Sequence, residues 1–366
     1  MLNDKFIFHY FFSFTVFIFI NILIFLNYSK NKYFKIILSL LFVFIISFIV
    51  GLRGRNIGID TKSYTSFFYG LNISIKDKFF QLLATIAKLL SNNHSIFLFL
   101  VSFLTNYNYF ISFYNMDDKN FCIYFAIFLS FFLFINVNIN IIRQGLAMSF
   151  FTNGAVIFYK NGSKKCINII ILFLLAILTH NSSIIVITGF MFFSIILYNI
   201  SPRKTEILFY ILIISTFFYS ISSLLKPFES LHPLINLAYR YLTWSIKKEL
   251  SFKYFYILIT LMLIFYSFKL KLKYSNKISN DIIKYYLLVL FGIFIIMFFK
   301  EEEMFSDRIF YYFFPFLPIL IYSLKNLFIE KRIIQYCVFF GINIWFIKSY
   351  IIQYIGWFIT NQSIRK

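Results

Sequence analysis

The chain has 366 residues, of which 60% are hydrophobic and 13% are charged. A water-soluble domain of that size cannot hide so much apolar surface, so the composition excludes a soluble enzyme and leaves an integral membrane protein. The formal charge of +21 does not imply a nucleic-acid partner: lysine dominates it, and much of that lysine sits in short connectors between apolar runs, where membrane topology accounts for it.

Repeated apolar runs of about 17–25 residues have the length that crosses roughly 30 Å of hydrocarbon as a helix. A transmembrane barrel would show short alternating segments instead. The expected fold is therefore all-α, a polytopic transmembrane helical bundle forming a single integral-membrane domain over residues 1–366. About twelve spans are expected at this helix length. They fall near 6–26, 34–52, 95–113, 121–136, 143–159, 166–180, 184–200, 207–224, 254–270, 285–299, 308–324 and 334–352. The first run has only Asp4 and Lys5 before it and no small-residue cleavage site after it, so it reads as a retained span.

Between the second and third spans lies the richest polar stretch, from Gly51 to Tyr64. Arg53 and Arg55 stand just outside the second span. By themselves they would read as side chains snorkelling to lipid headgroups. Gly54 and Gly58 free the backbone for a tight turn. Asp60 and Thr61 suit the cap of a short following helix; alternatively, Asp60 holds one of the arginines. Tyr64 has a polar-ended ring suited to a sugar face or hydroxyl. Residues 79–90 are too short to span and read as an amphipathic helix lying at the membrane interface.

The fifth span opens with Arg143 and Gln144 after the run Asn136-Val137-Asn138-Ile139-Asn140. A cation there opposes the helix dipole, and a charge entering apolar sequence usually faces the bundle interior. Gly145, Ala147 and Ser149 allow close helix packing. His180 ends the sixth span ahead of Asn181-Ser182-Ser183, as a polar turn or as a general acid/base. The loop 225–253 interleaves His232, Arg240, Tyr241, Trp244, Lys247, Lys248 and Glu249, which matches a sugar-phosphate surface or an interfacial belt. Arg240 and Tyr241 are its best functional pair. Glu301, Glu302, Glu303 and Asp307 precede Arg308, which opens the eleventh span with Tyr311 and Tyr312; Pro315 and Pro318 are expected to kink that span.

Lys30, Lys32 and Lys35 mark the first connector as cytoplasmic, and with alternation every later inner loop also carries a base. Both termini then face outward. Of the eight arginines, only Arg203 and Arg332 fall in inner loops; Arg53, Arg55, Arg143, Arg240 and Arg308 fall at outer loops or outer span ends. Lysine would serve topology equally well, whereas guanidinium reads phosphate or carboxylate through two bonds at once. Arginine gathered on one face therefore suggests an anion site. The three cysteines, Cys122, Cys166 and Cys337, form no metal spacing or disulfide framework. There is no phosphate-binding loop, dinucleotide fingerprint, zinc motif or nucleophile elbow, so no cofactor or metal is expected. Any chemistry must use a substrate already activated and delivered in the membrane.

Four motifs carry a family resemblance. Arg55-x-x-Gly58-x-Asp60-Thr61-x-x-Tyr64 resembles the signature of the EpsG family of bacterial exopolysaccharide proteins, related to the Wzy-type O-antigen and capsule polymerases. Arg143-Gln144-x-Leu146-Ala147, His180-x-Ser182-Ser183 and Arg308-x-x-Tyr311-Tyr312 resemble its later motifs, in the same order. The resemblance implies a multi-pass polymerase of the bacterial plasma (inner) membrane that joins undecaprenyl-pyrophosphate-linked oligosaccharide repeat units on the outer face. Its partners would be that substrate, membrane lipid, and a flippase and chain-length regulator of the same pathway. In such a reaction Arg53, Arg55, Arg143 and Arg308 would clamp pyrophosphate, and His180 or Asp60 would be the base. Tyr64, Gln144, Arg240, Tyr241, Tyr311 and Tyr312 would bind substrate. Two alternatives stay open: a lipid-linked-sugar glycosyltransferase or O-antigen ligase, and a transporter of lipid-linked sugars.

Overall fold

The computed structural model describes residues 4–58, 60–71, 75–199, 204–205, 207–208, 210–212, 280–298, 308–323 and 343–344. Every regular element among them is helical. The chain divides into two compact units, Met1–Ile184 with Glu330–Lys366, and Ile185–Ile329.

The first unit begins with α1 (Asp4–Asn27) and α2 (Lys32–Gly51). The Asn31 side chain starts α2 by accepting the Phe34 N–H at 3.0 Å. Phe12, Val16, Phe19, Ile20 and Leu23 form the buried stripe of α1, with helical spacing, while Phe11, Phe14 and Phe25 on its other side are exposed. Phe19 stacks on Phe42 of α2 with ring centroids 4.2 Å apart. An exposed face this apolar is suited to hydrocarbon and not to water.

Two short helices follow, α3 (Thr61–Phe68) and α4 (Lys78–Leu90). The amphipathic pattern of 79–90 is thus a helix, with Phe80, Leu83, Ala84 and Ala87 buried against α5 and α9. Central to the unit is α5 (His94–Met116), which packs on α2, α4, α6 and α8. Asn93 caps it through the Ser95 N–H at 2.9 Å.

The run 121–136, expected as one straight span, is broken. It consists of α6 (Phe121–Leu129) and α7 (Phe132–Ile139), bent by 77°. The break is local chemistry: the Ser130 hydroxyl bonds back to the Ile127 carbonyl at 2.6 Å, and Phe131 takes extended backbone angles. Next, α8 (Ile142–Asn161) is buried on nearly all sides between α5, α7 and α9. Gly145 is required there, since a Cβ would lie 2.7 Å from Val137 Cβ. The unit continues with α9 (Cys166–Thr179) and the start of α10 (Ser183–Asn199).

In the second unit, α10 packs through Phe193 on Phe291 of α11 (Asn280–Phe298), rings 5.0 Å apart. The expected span 308–324 is also interrupted. A helical turn at 308–310 gives way to a turn at 311–313, then a 3₁₀ turn (Phe314–Phe316) carrying Pro315, then α12 (Leu317–Ser323). Proline lacks the N–H and fixes φ, which ends one helix and starts the next.

Three helices, Ile7–Asn27, Lys32–Gly51 and His94–Met116, are long and apolar enough to cross a membrane, and the bent α6–α7 pair makes four. Shorter apolar helices accompany them. The expected spans 254–270 and 334–352, and most of 207–224, lie outside the described residues, apart from residues 343–344 in 334–352.

Candidate functional site

At the end of the first unit where α2 stops, the chain turns through Arg53–Asp60 and docks on the C-terminus of α7. Ile57 N–H closes the turn on the Gly54 carbonyl at 3.0 Å. Gly58 has φ +93°, and a Cβ there would lie 2.5 Å from the Ile139 carbonyl oxygen. Only glycine takes that backbone and that approach together. The Thr61 hydroxyl donates to the same carbonyl at 3.4 Å.

Arg53 is the largest fully buried side chain among the described residues, 1% exposed. Its Nη1 donates a short bond to the Asn138 carbonyl. Its Nε and Nη2 are buried with no hydrogen-bond partner among the described residues. Burial pushes the guanidinium down from its ordinary value to about 9, with the Tyr64 phenol acting in the opposite direction, so Arg53 is still a cation at neutral pH. A buried cation is normally paired with a carboxylate; this one meets the Asn138 carbonyl near the end of α7, whose partial negative charge is a weaker substitute.

Asn138 is itself held firmly. Its Oδ1 accepts from Ser102 Oγ and from Asn106 Nδ2, both at 2.8 Å, and Asn106 reaches on to Ser47. Four buried polar side chains on α2, α5 and α7 thus fix the carbonyl that receives Arg53. Polar groups sequestered in an apolar bundle are costly to place and often mark function.

Arg55 is exposed. Its Nε donates to Thr65 Oγ1 at 3.3 Å, and its guanidinium lies over the Tyr69 ring, 5.7 Å from the centroid. Tyr69 and His94 Nδ1 are hydrogen-bonded at 3.0 Å, tying α3 to the start of α5. Tyr64, one turn before, is buried with its ring 5.5 Å from Phe80. Asp60 heads α3 as expected by position, but its side chain makes no cap bond, and it forms no ion pair among the described residues.

Arg143 is placed differently. Its Nη1 donates to Asp77 Oδ2 at 2.5 Å. The other carboxylate oxygen accepts the Asn181 backbone N–H at 3.3 Å. Asp77 therefore joins three segments: the start of α4, the start of α8, and the turn that follows His180. Gln144 is buried beside Arg143 in sequence, and His180 is half-buried, its N–H bonded to the Ala176 carbonyl at 2.9 Å.

In the second unit, Arg308 is exposed at the start of its helical turn, Tyr311 is half-buried and Tyr312 is in the core, 1% exposed. Arg240 and Tyr241 lie outside the described residues. The structure thus collects Arg53, Arg55 and Tyr64 around the α2–α3 turn. It links Arg143 to the His180 turn through Asp77. Sequence reasoning missed Asp77, Tyr69, His94, Asn106 and Asn138. Asn138 had a signal in the alternating asparagines 136–140; Asp77, flanked by Lys76 and Lys78, looks like any solvated charge run.

The family model for EpsG matches residues 36–361. The chain belongs to the EpsG family. Membership points to an exopolysaccharide-related membrane polymerase, which accords with the apolar helices. No curated protein and no solved structure matches the chain.

Proposed function

We propose that this EpsG-family protein polymerises undecaprenyl-pyrophosphate-linked oligosaccharide repeat units into a surface polysaccharide. It does so as a multi-pass protein of the plasma membrane, at its outer face. The observation that carries the reading is Arg53: a buried guanidinium with two unbonded donor nitrogens, beside a second arginine with no carboxylate partner among the described residues. Such a pair suits a group that is strongly anionic, and a departing lipid pyrophosphate is one.

In the reaction, a hydroxyl of the acceptor unit attacks the anomeric carbon of the growing chain. The bond from that carbon to the pyrophosphate oxygen breaks, and the lipid pyrophosphate leaves with the electron pair. The hydroxyl proton passes to a base, for which His180 and Asp60 are the candidates. Arg53 and Arg55 stabilise the developing charge, Arg143 orients the substrate, and Tyr64 bounds the sugar. Arg308, Tyr311 and the Arg240–Tyr241 pair are further candidates for binding substrate. The outer face of α4 supports placement at the interface, since Leu82, Ile86, Leu89 and Leu90 are exposed beside Lys78 and Lys88.

The test is the length profile of surface polysaccharide in a strain lacking the protein, complemented with wild type or Arg143→Ala at matched levels. Deletion should leave single repeat units, wild type should restore a ladder, and Arg143→Ala should not. An unchanged ladder in the deletion, with no second polymerase in the strain, overturns the reading.

A further inference from the structure

We propose that Asp77 is a positioning residue that aims Arg143 at the substrate anion and sets it in register with the His180 turn; this rests on the polymerase reading above. Asp77 stands at the N-cap of α4, where an aspartate ordinarily accepts the N–H groups of its own helix. It makes no such bond. Its carboxylate, 7% exposed, is turned instead to Arg143 Nη1 and the Asn181 N–H, which lie 66 and 104 residues away in sequence. Forgoing a cap for two long-range contacts is not what helix stability alone selects.

The geometry at Arg143 says what the contact does. A guanidinium has two edges that can grip an anion with paired N–H groups. Asp77 occupies Nη1, and Arg143 Nε has no hydrogen-bond partner among the described residues. The Nε side of the guanidinium, buried and unbonded, is therefore the one left for an anion. The carboxylate also neutralises Arg143 locally, so this arginine directs an anion without trapping it. At the start of α8 the helix dipole opposes a cation, and Asp77 is what keeps Arg143 there.

The experiment uses the full-length protein in lipid nanodiscs with farnesyl pyrophosphate as the binding probe, alongside the cellular ladder. Asp77→Asn keeps the side-chain shape but removes the charge. It should bind the probe at least threefold tighter, because Arg143 is no longer neutralised, yet yield less than a tenth of the polymer per molecule of protein. In an Arg143→Gln background, Asp77→Asn should leave probe affinity unchanged. Asp77→Glu should recover part of the ladder. A lower melting temperature with unchanged probe affinity would make Asp77 merely structural and overturn the proposal, as would equal shifts of affinity in both Arg143 backgrounds. If wild type itself makes no ladder, the polymerase reading falls first and this proposal with it.

Discussion

Replacing Arg53 by methionine should leave the protein as stable as wild type or more so, while removing its activity. Arg53→Met loses one charge-assisted hydrogen bond to the Asn138 carbonyl, about 1.5–3 kcal/mol. It also removes two buried donors that have no hydrogen-bond partner, Nε and Nη2, each costing about 1–3 kcal/mol while unmade. The penalty of several kcal/mol for burying the cation is the same desolvation and is not added again. The balance favours methionine by zero to a few kcal/mol, read as an equal or higher melting temperature of the purified protein in nanodiscs. Polymer made per molecule of protein should fall about 10²–10³-fold, the usual effect of deleting one donor to a developing oxyanion. If Arg53 served only to cap α7, the signs would reverse. A lower melting temperature with normal activity per folded molecule would refute the argument.

Gly58→Ala should destabilise the protein by at least about 1–2 kcal/mol, the penalty for a side chain in the left-handed region, because its Cβ would also meet the Ile139 carbonyl at 2.5 Å. Gly54→Ala is the control: its Cβ meets only Ile57 Cδ1, at 3.8 Å, and its melting curve should match wild type. Asn106→Ala removes the bonds to Asn138 and Ser47, which should lower stability by about 0.6–1.7 kcal/mol on the scale of polar contacts inside membranes. It should also reduce polymer yield per molecule by loosening the carbonyl that holds Arg53, which comparison of ladders at matched protein levels would check.

The features legible in the sequence are those with local causes. The long apolar runs gave α1, α2 and α5, and the amphipathic period of 79–90 gave α4 within two residues. The bend between α6 and α7 has a local cause too, but a weak one: a single serine back-bond inside an apolar run does not alter hydropathy. The site was legible in part. The arginines were identified by type and by their place at span ends. Their surroundings were not, because each depends on a partner far along the chain: 85 residues from Arg53 to Asn138, and 66 from Arg143 to Asp77. No periodicity records such pairs.

That difference in surroundings changes what the arginines can do. Four of them look equivalent in sequence, as outer-edge cations sharing one clamp. In the first unit they are not equivalent. Arg53 and Arg55 have no carboxylate partner among the described residues, so their field adds, and Arg53 acts from a buried position where water screens little. Arg143 is matched by Asp77 at 2.5 Å, so its net field is small and its geometry is fixed. The proposed transfer from a lipid pyrophosphate would use both kinds of group: one that stabilises charge as it develops, and one that orients the substrate without holding the product. On electrostatic grounds Arg53 and Arg55 fit the first role and Arg143 the second. Arg53→Met should therefore impair turnover, and Asp77→Asn should alter how substrate is held.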